Sequence, residues 1–252
     1  LITQVTTTLA TTSDFVMGEA IEQDLADRDL LPGSHLVDSG YVVAELLVSG
    51  PRKHQIDVVG PPLGSSSRQH RENLGYDLHS FVIDWEAQQA ICPQGHRSVK
   101  WTPGPSQSGL AVIRIRFHKA TCLACPMRSA CTSSKEAARQ ITVKPQAQHE
   151  AIEAARRRQG TEEYKVLYAL RAGVESTISQ GARRFDLRRS RYIGLARTHL
   201  QQTINATAMN LVRLAAWLRN GRSAPPKRPP GHFSRLSPTA PIGLVASGAG
   251  LG

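Results

Sequence analysis

Two short apolar runs, His35-Leu36-Val37-Asp38 and Gln55-Ile56-Asp57-Val58-Val59-Gly60, lie on either side of a single helix-length stretch. Each is too short for a buried helix and borders a Gly turn, so each reads as a strand. Two strands joined through a helix lie parallel in their sheet. Upstream, Leu1–Leu9 is a β-branched run that reads as a further strand, and Thr12-Ser13-Asp14 offers an N-cap for a helix over 14–30 that ends at Pro32-Gly33. Ser39-Gly40 turns the chain into a helix over 41–49. The strand–helix–strand–helix–strand order predicts an α/β layer with at least partly parallel strands.

Residues 61–145 break this rhythm. Short strands are predicted at Phe81–Trp85, Val99–Trp101, Val112–Phe117 and Gln140–Val143, with Gly and Pro turns between them. In the third, Ile113, Ile115 and Phe117 alternate with Arg114, Arg116 and His118, the pattern of a half-buried strand. After Pro145 the pattern turns helical, with helices expected over 146–158, 161–182 and 195–218. Glu162 and Glu163 fall in the first turn of the second, where the helix dipole favours acids. Leu200, Ile204, Leu211, Ala215 and Leu218 form one apolar stripe on the third. From residue 220 the chain is rich in Pro, Gly, Ser and Arg and is expected to be a disordered basic tail, Lys227 and Arg228 adding non-specific affinity for polyanions.

The 252 residues carry a net charge of +11, unevenly placed. Residues 1–155 hold 14 Lys and Arg against 16 Asp and Glu, and residues 156–252 hold 17 against 4. A basic half of this kind points to DNA or RNA as partner; the plainer reading is a solvated helical surface with a basic tail. No apolar run approaches about 18 residues, so no membrane span is expected, and no signal peptide is apparent. The chain opens at Leu1 directly in a strand-like run, where a natural terminus has polar slack; the expectation is an encoded product that continues upstream.

All four cysteines lie in the β-rich stretch: Cys92, Cys122, Cys125 and Cys131, spaced C-x29-C-x2-C-x5-C. A C-x2-C step puts two thiolates on one turn, and tetrahedral Zn²⁺ takes two such pairs. The second pair is looser than a zinc ribbon requires. Structural Zn²⁺, reduced cysteines and an iron–sulfur cluster therefore all stay open, with His96 or His118 able to replace a ligand. Such a metal would be structural, since four protein ligands leave no open position.

Among the acids, Asp38 ends an apolar strand before a Gly turn, where α/β sheets expose functional groups, although a turn aspartate looks the same. Glu175 stands in a basic helix, with Tyr168, Arg171 and Glu175 spaced three and four apart on one face; an ordinary Arg171–Glu175 pair fits equally. Arg183-Arg184-Phe185-Asp186-Leu187-Arg188-Arg189-Ser190-Arg191 packs five arginines into nine residues, and guanidinium forks suit phosphate oxygens.

Taken together, Tyr168-x2-Arg171-x3-Glu175 followed by basic residues resembles the signature around the last carboxylate of bacterial insertion-sequence transposases with an RNase H-like DDE domain. His35-Leu36-Val37-Asp38-Ser39-Gly40-Tyr41 is similar to their second-carboxylate segment. Tyr192-Ile193-Gly194-Leu195-Ala196 and Ala208-Met209-Asn210-Leu211-Val212-Arg213-Leu214 resemble their closing helices, and one branch of these elements carries a Cys-bearing insertion. The resemblance covers residues 1–218.

It implies an α/β RNase H-like mixed sheet with flanking helices, lacking its first two strands and interrupted by a small β-rich, zinc-type insertion that holds the four cysteines. The expected divisions are 1–60 and 146–219 for the core, 61–145 for the insertion and 220–252 for the tail. It further implies Mg²⁺-dependent phosphodiester hydrolysis and strand transfer. Asp38 and Glu175 would be catalytic Mg²⁺ ligands. Tyr168, Arg171, Arg183, Arg184, Arg188, Arg189 and Arg191 would contact DNA, and Cys92, Cys122, Cys125 and Cys131 would hold structural Zn²⁺. Partners would be transposon-end and target DNA, with self-association on DNA, in the bacterial cytoplasm at the nucleoid.

Two departures stand out. The family often has Lys or Arg seven residues after the Glu, where this chain has Ala182 with Arg183 and Arg184 adjacent. The first Asp has no counterpart on an apolar strand; Asp14, Asp24, Asp27 and Asp29 lie in or beside a helix. The chain alone is therefore expected to be inactive. The alternative is a non-catalytic zinc-containing DNA-binding protein descended from a decayed transposase, and a third reading is an unrelated α/β protein with a basic tail.

Overall fold

Ser34–Leu36 (β1) and Asp57–Val59 (β2) pair in parallel, joined through the helix Ala44–Ser49 (α2). The ladder runs one residue further, Val37 donating to the Val59 carbonyl at 2.9 Å, which carries Asp38 to the end of the strand. The computed structural model that shows this describes residues 1–65 and 67–220; the tail expected over 220–252, with Lys227 and Arg228, lies outside them apart from residue 220. Val37, Val42, Leu46, Ile56 and Val58 form the core of this layer. Gly60 follows β2 because nothing larger fits: a Cβ there would sit 2.6 Å from both the Val37 carbonyl and a Val42 methyl. The helix Gly18–Ala26 (α1) packs on the same layer and buries Glu22 completely, its carboxylate meeting His35 Nδ1 at 3.3 Å.

A short helix, Arg68–Arg71 (α3), leads into an antiparallel region. Val82–Asp84 (β3) pairs with Gln89–Ile91 (β4), and Lys100–Pro105 (β5), Ala111–Arg116 (β6) and Gln140–Val143 (β7) make a three-stranded sheet with β6 in the centre. The alternation read in the sequence appears as expected, with Ile115 and Phe117 buried beside Ile141, Val143, Phe81 and Ala90. Two short helices, Lys119–Leu123 (α4) and Arg128–Cys131 (α5), span the β6–β7 connection. The remainder is helical: Gln146–Gln159 (α6), Glu162–Ala169 (α7), Ala172–Arg184 (α8) and Leu195–Asn220 (α9). A mixed α/β architecture of small sheets and helices results.

Three expectations need correction. Leu1–Leu9 is not a strand. It runs along α9 with no sheet edge beside it, so side chains satisfy its backbone: Asn210 accepts from Ile2 N at 2.7 Å and donates to Ile2 O at 2.8 Å, and Arg28 donates to Thr3 O. The helix expected over 14–30 is a 3₁₀ turn at Asp14–Met17 followed by α1, which ends at Ala26 before Asp29 takes a positive φ of 54°. The single helix expected over 161–182 is two. At the junction Leu170, Arg171, Gly173 and Val174 each bond three residues back, and this tightened turn, beside the poor helix former Gly173, re-aims the chain.

Candidate active site and basic groove

Asp38 and Glu175 meet at one guanidinium. Arg171 closes the α7–α8 turn; one of its Nη atoms donates to Glu175 Oε1 at 2.8 Å, and the other reaches Asp38 Oδ2 at 3.5 Å. The sheet end supplies one carboxylate and the first turn of α8 the other. Both remain about half open to solvent while Arg171 is largely covered, at 49%, 60% and 20% side-chain exposure. Asp38 also acts as a turn aspartate, its Oδ1 accepting from Gly40 N at 3.0 Å. The plain pairings anticipated for each residue are thus present, and the same bonds bring the two carboxylates together.

What this pair can hold follows from its donors. Two carboxylates converging from separate elements offer the oxygen ligands a hard divalent cation prefers, and their exposure leaves room for water. Among the described residues, however, no group of three or more His, Cys, Asp or Glu side chains is placed to hold a metal ion. The donor chemistry fits one cation; the set is a carboxylate short of what a two-ion site uses.

Basic residues extend from this point. Glu175, Ser176, Ser179, Gln180, Arg183 and Arg184 line one open cleft along α8. Arg184 also borders a second groove, between the 185–192 loop and α9, lined by Phe185, Asp186, Arg191, Tyr192 and Arg197. Arg188 and Arg189 are exposed on that loop. Asp186, at a positive φ of 50°, pairs with Arg191 at 2.9 Å. Tyr168 stands apart, stacked on Tyr164 with ring centroids 5.4 Å apart. The sequence reading missed Gln201. Buried on α9, it donates to Arg189 O at 2.7 Å and accepts from Arg191 N at 2.9 Å, fixing the arginine loop to the helix. A lone glutamine in a helix carries no pattern that would reveal this role.

All four cysteines line a single cavity with His96, His118, Arg128 and Arg139. Each main-chain turn is set by local bonds, Gly95 N to Cys92 O at 2.8 Å and Arg128 N to Cys125 O at 3.1 Å. Burial pushes the Cys131 thiol up, Arg139 opposes this, and Cys122, Cys125 and Cys92 add to the rise. Arg139 in turn sits over the Phe81 ring at 5.6 Å. The chemistry of the donors suits Zn²⁺, but the thiols are not drawn together to ligand geometry.

Residues 91–215 match the family model of the transposase DDE domain, a span that takes in the four cysteines, Glu175 and the arginine run but not Asp38. The match supports a transposase function in general terms; Mg²⁺ is the ion that family generally uses. No curated protein and no solved structure matches the chain. No helix among the described residues is long and apolar enough to cross a membrane.

Proposed function

We propose that this chain carries the second and last catalytic carboxylates of an RNase H-like DDE domain, Asp38 and Glu175, and acts on DNA at transposon ends and at the target. Residues 1–60 and 146–219 form the catalytic layer in this reading, and 61–145 are a β-rich module inserted between the carboxylates. The convergence of Asp38 and Glu175 on Arg171 carries the proposal most directly.

In the reaction, water adds at phosphorus while the bond to the 3′ oxygen breaks, releasing a 3′-hydroxyl and a 5′-phosphate. That hydroxyl then attacks a target phosphodiester in the same manner. Bound Mg²⁺ supplies Lewis-acid activation of the attacking oxygen and charge neutralisation. The chain's own part is to present two carboxylate oxygens from a rigid strand end and helix turn. Arg183 and Arg184 hold the backbone phosphates beside Glu175, and Arg188, Arg189 and Arg191 extend the grip. In this reading Arg171 would pass from the carboxylates to a phosphate once a cation were bound, and Tyr168 would make a separate DNA contact. With two carboxylates, the chain alone binds DNA without cutting it. Self-association on DNA brings two ends together.

Cys92, Cys122, Cys125 and Cys131 would hold a structural Zn²⁺ in this proposal, with Arg128 and Arg139, which line the same cavity, offsetting the thiolate charge. Zinc analysis of purified chain, with Cys125→Ser losing the metal, tests that part separately.

The catalytic reading is tested by Fe²⁺-directed backbone cleavage. Fe²⁺ with ascorbate should cut the wild-type chain near residues 38 and 175, Mg²⁺ should compete, and Asp38→Ala should abolish both cuts. Cuts elsewhere only, or cuts that survive Asp38→Ala, would remove the basis for the assignment.

A further inference from the structure

The sheet of β5, β6 and β7 has two unlike faces. Ile115, Ile141 and Val143 are buried on one. Residues directly opposite in an antiparallel ladder point the same way. The register therefore puts Lys100, Arg116 and Gln140 in one row on the other face, and Thr102, Arg114 and Thr142 in the next. Lys100, Arg116, Gln140 and Thr142 are exposed, and Thr102 and Arg114 are half-buried. These positions hold three cations, three neutral polar groups and no acid.

No carboxylate answers this charge. Lys144, just past β7, pairs with Glu45 at 3.3 Å, but among the described residues Lys100, Arg114 and Arg116 form no ion pair. Arg114 donates to the Pro105 carbonyl, and Arg116 donates to Gln140 Oε1 at 3.3 Å. Gly104 leaves room for the first of these, since a Cβ there would stand 3.3 Å from Arg114 Nη1. A guanidinium carries five N–H donors, so both forks keep most of theirs unspent.

The arrangement costs the fold something. Like charges directly opposite one another destabilise a ladder, and Lys100 and Arg116 are such a pair. Protection against strand addition does not explain it. Guarding charges belong on edge strands, whereas Arg114 and Arg116 lie on β6, which is paired on both sides. Uncompensated cations with unspent donors are complementary to a polyanion.

Spacing and neighbours select a nucleic-acid backbone. Arg114 and Arg116 lie roughly 7 Å apart along β6, and Lys100 sits one strand spacing, about 5 Å, from Arg116. Successive phosphates of one nucleic-acid strand follow at a comparable interval, and a guanidinium fork takes a phosphate bidentately. Thr102, Thr142 and Gln140 interleave hydroxyl and amide donors of the kinds that also bind phosphate oxygens. A membrane-surface site pairs its cations with apolar side chains that enter the lipid, and none of these six positions is apolar.

We infer that the outer face of β5, β6 and β7 is a second DNA-binding surface, on which Lys100, Arg114 and Arg116 grip duplex phosphates without reading sequence. The inference rests on the proposed action on DNA and adds a contact outside the clefts along α8 and the 185–192 loop. The β-rich module thereby holds DNA itself, besides separating Asp38 from Glu175 in the chain.

The test is the salt dependence of binding by the full chain to a fluorescent duplex of arbitrary sequence, without divalent cations. Each phosphate contact contributes about −0.9 to the slope of log K against log salt. Replacing Lys100, Arg114 and Arg116 together by Gln should make the slope shallower by roughly 2–3 and weaken binding at least about tenfold at 0.1 M salt. Circular dichroism should be retained, since none of the three belongs to the buried face. Equal loss of charge elsewhere is the control: Arg52, Arg71 and Lys135 are exposed, and their replacement by Gln should change the slope by less than about 1. A slope unchanged by the sheet substitutions, an equal change from the control set, or tighter binding of wild type to phosphatidylserine vesicles than to duplex overturns the inference. Wild type that binds no duplex at any salt removes the DNA reading itself. Binding that needs Arg183 and Arg184 but not the sheet leaves that reading standing and removes the sheet surface alone.

Discussion

Arg171 donates to Glu175 across one helical turn at 2.8 Å, and the other arm of the same guanidinium faces Asp38 at 3.5 Å. A positive charge thus stands where two carboxylates from distant parts of the chain converge. Without it, two acids this close would repel one another and drift apart. The arginine is both a tether for the pair and a competitor of any cation that binds there.

That double role predicts how Arg171→Ala behaves. Removing the guanidinium frees both carboxylates, and because they are half exposed the gain is limited to that of a surface ion pair, up to ~1 kcal/mol or about fivefold in affinity. Calorimetric titration with Mn²⁺ should show tighter binding to Arg171→Ala than to wild type, with Arg171→Lys between them. Weaker binding to Arg171→Ala would mean that tethering outweighs competition.

A second ion pair ties α6 to the sheet. Arg158 grips Asp57 with both Nη atoms, at 2.6 and 2.7 Å, and the hydrogen bond to Asp57 holds the guanidinium above its ordinary range. Both partners are more than a third exposed, at 34% and 43%, so solvent screens the interaction. Asp57→Asn should cost about 1 kcal/mol or less, a fall in Tm of roughly 2–4 °C for a chain of this size. Thermal unfolding in low and high salt checks the electrostatic origin: the gap between variant and wild type should narrow as salt rises. A gap indifferent to salt would assign the loss to packing.

The sequence carried the elements better than their environment. Alternation of Ile113, Ile115 and Phe117 with arginines located β6 and its buried face, because period-2 patterning follows directly from the pleat. The apolar runs ending at Asp38 and Gly60 located the parallel pair for the same local reason. Leu1–Leu9 looked like a strand through its β-branched residues, yet strand formation needs a neighbouring edge, and Asn210 and Arg28 supply its hydrogen bonds instead. Periodicity also found the leucine stripe of α9 but not the direction it faces: Leu200, Ile204, Leu211 and Leu218 are exposed, and an apolar stripe reads alike whichever way it points. At the candidate site, Asp38, Arg171 and Glu175 taken singly read as ordinary pairings, and only the resemblance in motif order singled out Asp38 and Glu175 as carboxylate ligands and Arg171 as a DNA contact. Their convergence depends on the turn between α7 and α8, which i-to-i+4 spacing along one continuous helix hides.

Two helical glycines on α8 should respond in opposite directions to the same change. Gly181 lies where α8 crosses α9, and a Cβ there would stand 2.9 Å from a Leu187 methyl and 3.0 Å from Met209 Sδ. Gly181→Ala should destabilise by about 1–3 kcal/mol, toward the lower end because methionine yields. Nothing lies within 4 Å of a Cβ built on Gly173, so Gly173→Ala should gain roughly 0.5–1 kcal/mol from reduced backbone freedom in the unfolded chain. Urea denaturation of both variants measures the pair, and the prediction fails if their signs agree.

His149 gives the fold a pH dependence whose sign can be fixed. The ring lies on α6 beside Trp85, with centroids 5.5 Å apart. Burial pushes its pKa below the usual 6.5, Glu153 pulling the other way and Arg156 and His79 adding to the depression. Above 6.5 the residue is neutral in both folded and unfolded chains and contributes no pH dependence. As pH falls through 6.5 the unfolded chain takes the proton first, so stability is lost from there down to the lower folded pKa. The His79–Glu153 and His70–Asp77 pairs, at 3.2 and 3.0 Å, lie in the same region, so total stability alone does not isolate the effect of His149. The informative quantity is the difference between wild type and His149→Phe, which keeps the ring against Trp85 and removes the titration. Between about pH 7.5 and 5.5 wild type should lose more stability than His149→Phe, with the gap between the two Tm curves constant at the alkaline end. Parallel curves would mean that His149 protonates as readily in the folded chain as in the unfolded one.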